Sequence, residues 1–144
     1  MRRGATGLIF PEIRKGRASR PMSRIAGRLA PLVGGRALQT DAGGNGTLLT
    51  GVDEVPAARV LVVGAGNVGR EAARVAARLG CEVAALSRGP ARLRELATSL
   101  ASEGLQVRVN VLDDEALRTA IADADLVIGA VLDPGRLSPK IVRR

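Results

Sequence analysis

Residues 64–69 read Gly64-Ala65-Gly66-Asn67-Val68-Gly69, the spacing G-x-G-x-x-G. Each glycine has a separate job in such a string. The first permits a tight turn, the second lets backbone amides come close to an anion because it lacks a Cβ, and the third lets a helix pack closely on the preceding strand. The string alone is weak evidence, and its context gives it weight. It follows Val60-Leu61-Val62-Val63, a continuous apolar run of the kind found in strands buried on both faces. It opens a segment in which Val68, Ala72, Val75, Ala76 and Leu79 share one helical face. A helix start carries unpaired N–H donors and a partial positive charge. The chemistry expected of residues 64–69 is therefore main-chain capture of the diphosphate of NAD or NADP. A strand-to-helix turn with no ligand is the competing reading.

The choice between the two cofactors falls at the end of the second strand, which reads Ser87-Arg88, with Arg92 one turn further on. An acidic residue there binds a ribose 2′-hydroxyl, whereas arginine pairs with a 2′-phosphate. With neither Asp nor Glu in place, acceptance of NADP is expected. The alternative is that both arginines are solvated surface groups.

Composition removes other chemistries. The chain has no histidine, so Ser-His and Cys-His arrangements are excluded, and no Cys/His cluster exists to hold zinc. No residue is assigned a catalytic role and no metal is expected. Cys81 is the only cysteine, which fits a reducing cytoplasm. Phe10 is the only aromatic residue, which argues against stacking on nucleic-acid bases. The net charge of +8 is spread among Glu and Asp and reads as a basic soluble surface. Arg70, Arg74 and Arg78 line up at helical spacing, as a solvated face also does. No apolar run is long enough for a membrane span, and no secretory leader is visible.

The elements that must position the turn alternate regularly. Residues 82–86 form a second strand, and Pro90 opens a helix burying Leu93, Leu96, Ala97 and Leu100. Residues 106–111 form a third strand. Asp113 caps the next helix, with Leu112 and Leu117 as a hydrophobic staple. Residues 126–131 form a fourth strand. The pattern predicts an α/β fold: a Rossmann-type parallel sheet in the order 3-2-1-4, incomplete, with helices on both faces. Upstream, residues 22–38 suggest a helix capped by Ser23, kinked at Pro31, with Ile25, Leu29, Leu32 and Val33 as its apolar face. Residues 41–51 are a glycine-rich connector. Thr6-Gly7-Leu8-Ile9-Phe10 reads as a strand without a partner. The expected division is 1–20, 21–52 and the dinucleotide-binding part 53–144.

Three segments resemble bacterial alanine dehydrogenases, of the alanine dehydrogenase and pyridine nucleotide transhydrogenase family. They are Pro21-Met22-Ser23-Arg24-Ile25-Ala26-Gly27-Arg28-Leu29-Ala30, Gly43-Gly44-Asn45-Gly46-Thr47-Leu48-Leu49-Thr50-Gly51-Val52, and Ala124-Asp125-Leu126-Val127-Ile128-Gly129-Ala130-Val131-Leu132 followed by Pro134-Gly135. The resemblance implies an oxidoreductase that deaminates L-alanine to pyruvate and ammonia with NAD. It implies that Ser23, the glycine turn, Arg92, Val131 and Leu132 contact the cofactor, and that residues 1–20 are the end of a substrate domain. Ser87 stands where the family usually has Asp. The family's substrate and proton-transfer groups are Arg, Lys and His of an N-terminal domain and a later Asp, so the isolated chain is expected to lack alanine dehydrogenase activity. The alternatives are a stand-alone NAD(P)-binding or sensing module and the NAD-binding part of a transhydrogenase alpha subunit. Either a homo-oligomer or a missing catalytic domain is the expected partner, with no nucleic acid and no membrane. The fourth strand, ending the sheet, is expected to be an exposed apolar edge that drives association.

Overall fold

A computed structural model describes residues 6–9, as backbone, and 19–131. The elements in chain order are β1 (Thr6–Ile9), α1 (Ser19–Leu38), a 3-10 turn (Thr40–Ala42), β2 (Arg59–Val63), α2 (Asn67–Arg78), β3 (Glu82–Ser87), α3 (Pro90–Ala101), β4 (Arg108–Val111), α4 (Asp114–Asp123) and β5 (Leu126–Gly129).

The four strands expected from the sequence form one parallel sheet in the order 3-2-1-4, here β4-β3-β2-β5. Register is continuous across the centre: Val63 sits beside Leu86 on one side and Gly129 on the other. The inner strands are buried on both faces, which is why Val60 to Val63 are all apolar. Helices α1, α2 and α3 cover one face through Ala30, Leu38, Ala72, Ala76, Leu93, Leu96 and Leu100. Helix α4 covers the other, with Ala116, Leu117, Ala120 and Ile121 over Leu61, Val63, Leu86 and Val127. Asp113 caps α4 as expected, its side chain accepting from the Ala116 amide at 2.7 Å. Gly80 and Gly104 end α2 and α3 with φ of 86° and 74°, a region that favours glycine.

The structure corrects two expectations at the N-terminal end. First, the strand at residues 6–9 has a partner. β1 adds to the sheet parallel to β5, Thr6 beside Leu126 through Ile9 beside Gly129. β5 is therefore an inner strand and not an exposed apolar edge, because its free main-chain groups are taken up by β1. Second, α1 turns its other face inward. It begins at Ser19, so Ser23 lies in its second turn and does not cap it, and it continues through Pro31. Ile25, Leu29, Leu32 and Val33 are each about half exposed, while Gly27, Ala30, Pro31, Gly34 and Leu38 are buried.

Small residues face inward because α1 lies close to its neighbours. A Cβ on Gly27 would stand 2.8 Å from Glu71 Cβ on α2, and one on Gly34 would stand 2.8 Å from a Leu126 methyl on β5. Three strand boundaries also shift, the first being β3, which runs on to Ser87 rather than ending at residue 86. β4 begins at Arg108 rather than residue 106, and β5 ends at Gly129 rather than 131. Among the described residues no helix is long and apolar enough to cross a membrane.

Candidate functional site

The glycine turn joins the carboxyl end of β2 to the start of α2, at the edge where parallel α/β sheets bind ligands. Gly64 has φ of +115°, and its N–H donates to the Leu86 carbonyl at 2.7 Å, tying the turn to the end of β3. A Cβ there would stand 2.6 Å from the Ala130 carbonyl carbon. Gly69 is buried, and its Cβ would collide with the Gly64 carbonyl, 2.8 Å from the carbon and closer to the oxygen. These two positions need glycine so that strand, turn and helix can pack.

Gly66 differs. Its φ is −79°, which any residue adopts, and a Cβ on it meets no heavy atom within 4 Å. The space in front of this residue is open. Gly66 is also the N-cap of α2, and no side chain caps the helix or places an acidic group in its first turn. The helical ladder opens with Arg70 N–H donating to Gly66 O at 2.9 Å, which leaves the amides before it for an external acceptor. Ala65 is buried beneath the turn, Asn67 is exposed and Val68 is half-buried. An open approach, uncapped amides and a helix dipole fit the diphosphate of a dinucleotide.

Strand register gathers other expected residues at the same edge. Ser87, half-buried, is the last residue of β3, one beyond the Leu86 that flanks Val63. Val131 follows β5, with its amide 3.1 Å from where a Gly64 Cβ would be. Arg88 and Arg92 are exposed beside Ser87, and no described carboxylate forms an ion pair with either. Ser23, half-buried, lies one helical turn before Gly27, whose inward face meets Val68 in the first turn of α2. Leu132 lies outside the described residues.

The arginine row of α2 is used between helices. Arg74 and Arg78 donate to Glu103 at 2.8 and 2.6 Å, and Arg70 pairs with Glu95 while its Nε reaches the Ala65 carbonyl at 3.4 Å. Cys81 is buried with its thiol donating to Leu49 O at 3.2 Å, and burial pushes that thiol up to about 11, so it is not a nucleophile at neutral pH. Among the described residues no group of three or more His, Cys, Asp or Glu comes together to hold a metal.

A residue the sequence did not single out is Glu71. On α2 it reads as another solvated acid, but α1 covers it and leaves its side chain 6% exposed. It accepts from Arg28 at 2.8 Å and Arg24 at 3.1 Å, and Arg74 adds a third bond at 3.1 Å. Burial pushes its carboxyl up, but the Arg28 and Arg24 hydrogen bonds outweigh this and hold it below its ordinary 4.5. A folded-state value below the unfolded one stabilises the protein above the unfolded value, and that stability is lost as pH falls through the folded one. Glu71→Gln is expected to lower stability by about 1–2 kcal/mol at neutral pH, discounted because the arginines are exposed. Denaturant unfolding of both proteins should show this difference shrinking below pH 4.5. A pH-independent difference would show that the charge is not what matters.

A parallel sheet whose central strand runs through a glycine turn into an uncapped helix defines the Rossmann class of dinucleotide-binding domains. Residues 30–144 match the family described as "Alanine dehydrogenase/PNT, C-terminal domain", and the chain belongs to that family. It is 43% identical over 126 residues to an alanine dehydrogenase of Halomonas elongata, covering 86% of this chain and 33% of the relative. It is 36% identical over 143 residues to the alanine dehydrogenase of Bacillus subtilis, covering 97% and 37%. A solved L-alanine dehydrogenase superposes with a TM-score of 0.80 at 43% identity, over 86% of this chain and 34% of that one. A transhydrogenase from Sinorhizobium meliloti gives 0.64 at 26% identity, over 85% and 35%. The chain thus spans about a third of the length of the curated relatives it matches.

Proposed function

We propose that this chain is the NAD(P)-binding part of an alanine dehydrogenase-like oxidoreductase. The observation that carries the reading is the open, uncapped start of α2 at Gly66. The higher identity and TM-score of the alanine dehydrogenase structure favour this class over a transhydrogenase. When bound, the nicotinamide supplies hydride acceptance and return, in this class between the cofactor and the α-carbon of alanine. The chain's own contribution is to hold and orient the dinucleotide. The α2 amides take the diphosphate, Ser23 approaches it from α1, and Val131 and Leu132 are the proposed contacts of the nicotinamide end. Proton transfer to and from the amine is assigned to residues outside this chain's sequence. In this reading residues 53–144 bind the cofactor, 21–52 brace that part, and 1–20 are the end of a substrate domain. The compartment assigned is the cytoplasm. Titration of the purified chain with NADH, followed by dinucleotide fluorescence, tests the reading; no saturable binding would refute it.

Ser87, Arg88 and Arg92 support acceptance of the 2′-phosphate, since no carboxylate stands at the end of β3 to repel it. NADPH is expected to bind more tightly than NADH. Arg88→Ala combined with Arg92→Ala should weaken NADPH by about tenfold or more and NADH by about twofold at most. Equal losses for both nucleotides, or tighter NADH binding in the parent, would leave the arginines as surface groups.

A further inference from the structure

We infer that Glu95 sets how strongly this site favours NADPH over NADH, by occupying Arg70, which is otherwise a third guanidinium for the 2′-phosphate. The inference rests on the dinucleotide reading above and names a residue for its specificity. Helices α2 and α3 follow neighbouring parallel strands and run side by side. Their side chains form a ladder. Arg78 donates to Glu103 at 2.6 Å, Arg74 to Ser99 at 3.2 Å, and Arg70 pairs with Glu95. Each rung joins residues 25 apart in the chain. Carried a turn further, the same offset sets Asn67 opposite Arg92, in the first turns of the two helices. The ladder therefore leads up to the glycine turn, and Arg70 is its last rung before it. The Arg70 Nε also reaches Ala65 O at 3.4 Å, which puts this guanidinium against the turn itself.

Three observations separate this rung from a plain clasp between helices. First, the lower rungs are the sheltered ones. Glu103 is 27% exposed and binds two arginines, whereas Glu95 is 62% exposed. Exposed ion pairs contribute little to stability, so Glu95 adds little to holding the helices together. Second, of Arg70, Arg88 and Arg92, only Arg70 is paired with a described carboxylate. Third, Glu95 follows Arg92 at the spacing that makes neighbours on a helix surface. Its negative charge falls between Arg92 and Arg70 and repels a 2′-phosphate approaching either. Arg70 is part-exposed, so its side chain has room to turn from Glu95 to a phosphate oxygen. Glu95 acts through Arg70 and is a positioning residue.

Fluorescence titration of the 144-residue chain with NADPH and with NADH reads the ratio of the two affinities. Glu95→Gln should raise the preference for NADPH by roughly fivefold to tenfold and change NADH by about twofold at most, because the charge is lost while the shape is kept. Adding Arg70→Met to Glu95→Gln should remove the gain. Arg70→Lys in its place should keep part of it, since a cation remains. The gain should also shrink as salt is raised from about 0.05 to 0.5 M, as screening requires. A role in helix packing alone would respond neither to lysine nor to salt in this way. An unchanged ratio in Glu95→Gln, a gain that survives Arg70→Met, or equal changes for both nucleotides would overturn the inference. A parent that fails to bind NADH would overturn the dinucleotide reading, and this inference with it. A parent that prefers NADH would count against Arg88 and Arg92 as ligands of the 2′-phosphate, while a ratio that still rises in Glu95→Gln would support the role of Glu95.

Discussion

Gly66→Val is expected to weaken NADH binding by roughly a hundredfold or more while leaving the thermal midpoint within about 2 °C of the parent. The two halves of this result have separate causes. The backbone at Gly66 is extended, with φ of −79° and ψ of −166°, which suits a β-branched residue. A Cβ there touches nothing within 4 Å, so the folded protein has room for the new side chain. The same open space is the approach to the first amides of α2. A hydrogen bond to a charged group contributes about 1.5–3 kcal/mol, so blocking two of them removes roughly 3–6 kcal/mol of binding. Fluorescence titration of parent and variant reads the first half, and thermal melts without ligand read the second. Unchanged affinity in a folded Gly66→Val protein would mean that the diphosphate lies elsewhere. Gly66→Ala, with a smaller intrusion, should fall between the two.

Gly69→Ala, three residues further on, is expected to act in the opposite way, through the fold. Its new methyl would be driven into the Gly64 carbonyl, 2.8 Å from the carbon and closer to the oxygen. That carbonyl cannot move aside easily. Gly64 is held at φ +115°, its amide is bonded to Leu86 O, and the Ala130 carbonyl occupies the side where its own Cβ would be. Relief requires α2 to shift off β2, which opens contacts of Val62 and Ala72 in the main core. Overpacking against rigid main chain costs about 3 kcal/mol. For a domain of this size the thermal midpoint should drop by roughly 10 °C. A melt within about 2 °C of the parent would show that the α2–β2 contact is looser than these distances require. Together the two glycines separate holding the ligand from holding the turn.

The difference between Gly66 and Gly69 also marks how far the sequence could be read. The pattern G-x-G-x-x-G after Val60–Val63 located the turn, and the three glycine roles followed from chemistry that acts within a few residues. The Asp113 cap, the stops at Gly80 and Gly104, and the order of the four strands β2 to β5 were legible for related reasons. The cap depends on a side chain reaching its own helix end, the stops on glycine's left-handed backbone, and the strand order on the alternation of strand and helix along the chain.

What depended on a partner distant in the chain was not legible. Periodicity in α1 showed two faces but could not say which one would turn inward. The large residues looked like the buried side, yet the close approach to α2 and β5 admits only Gly27, Ala30, Pro31 and Gly34. Glu71 looked solvated until α1 covered it with two arginines. The short strand at Thr6–Ile9 could not be paired from its own residues, because its partner β5 lies at the other end of the described chain. The strands, the turn and the chemistry of its amides arise from neighbours along the chain, so they could be read residue by residue. Which face of α1 is buried, the covering of Glu71 and the pairing of the β5 edge depend on what lies across a contact, and so emerge only once the chain has folded.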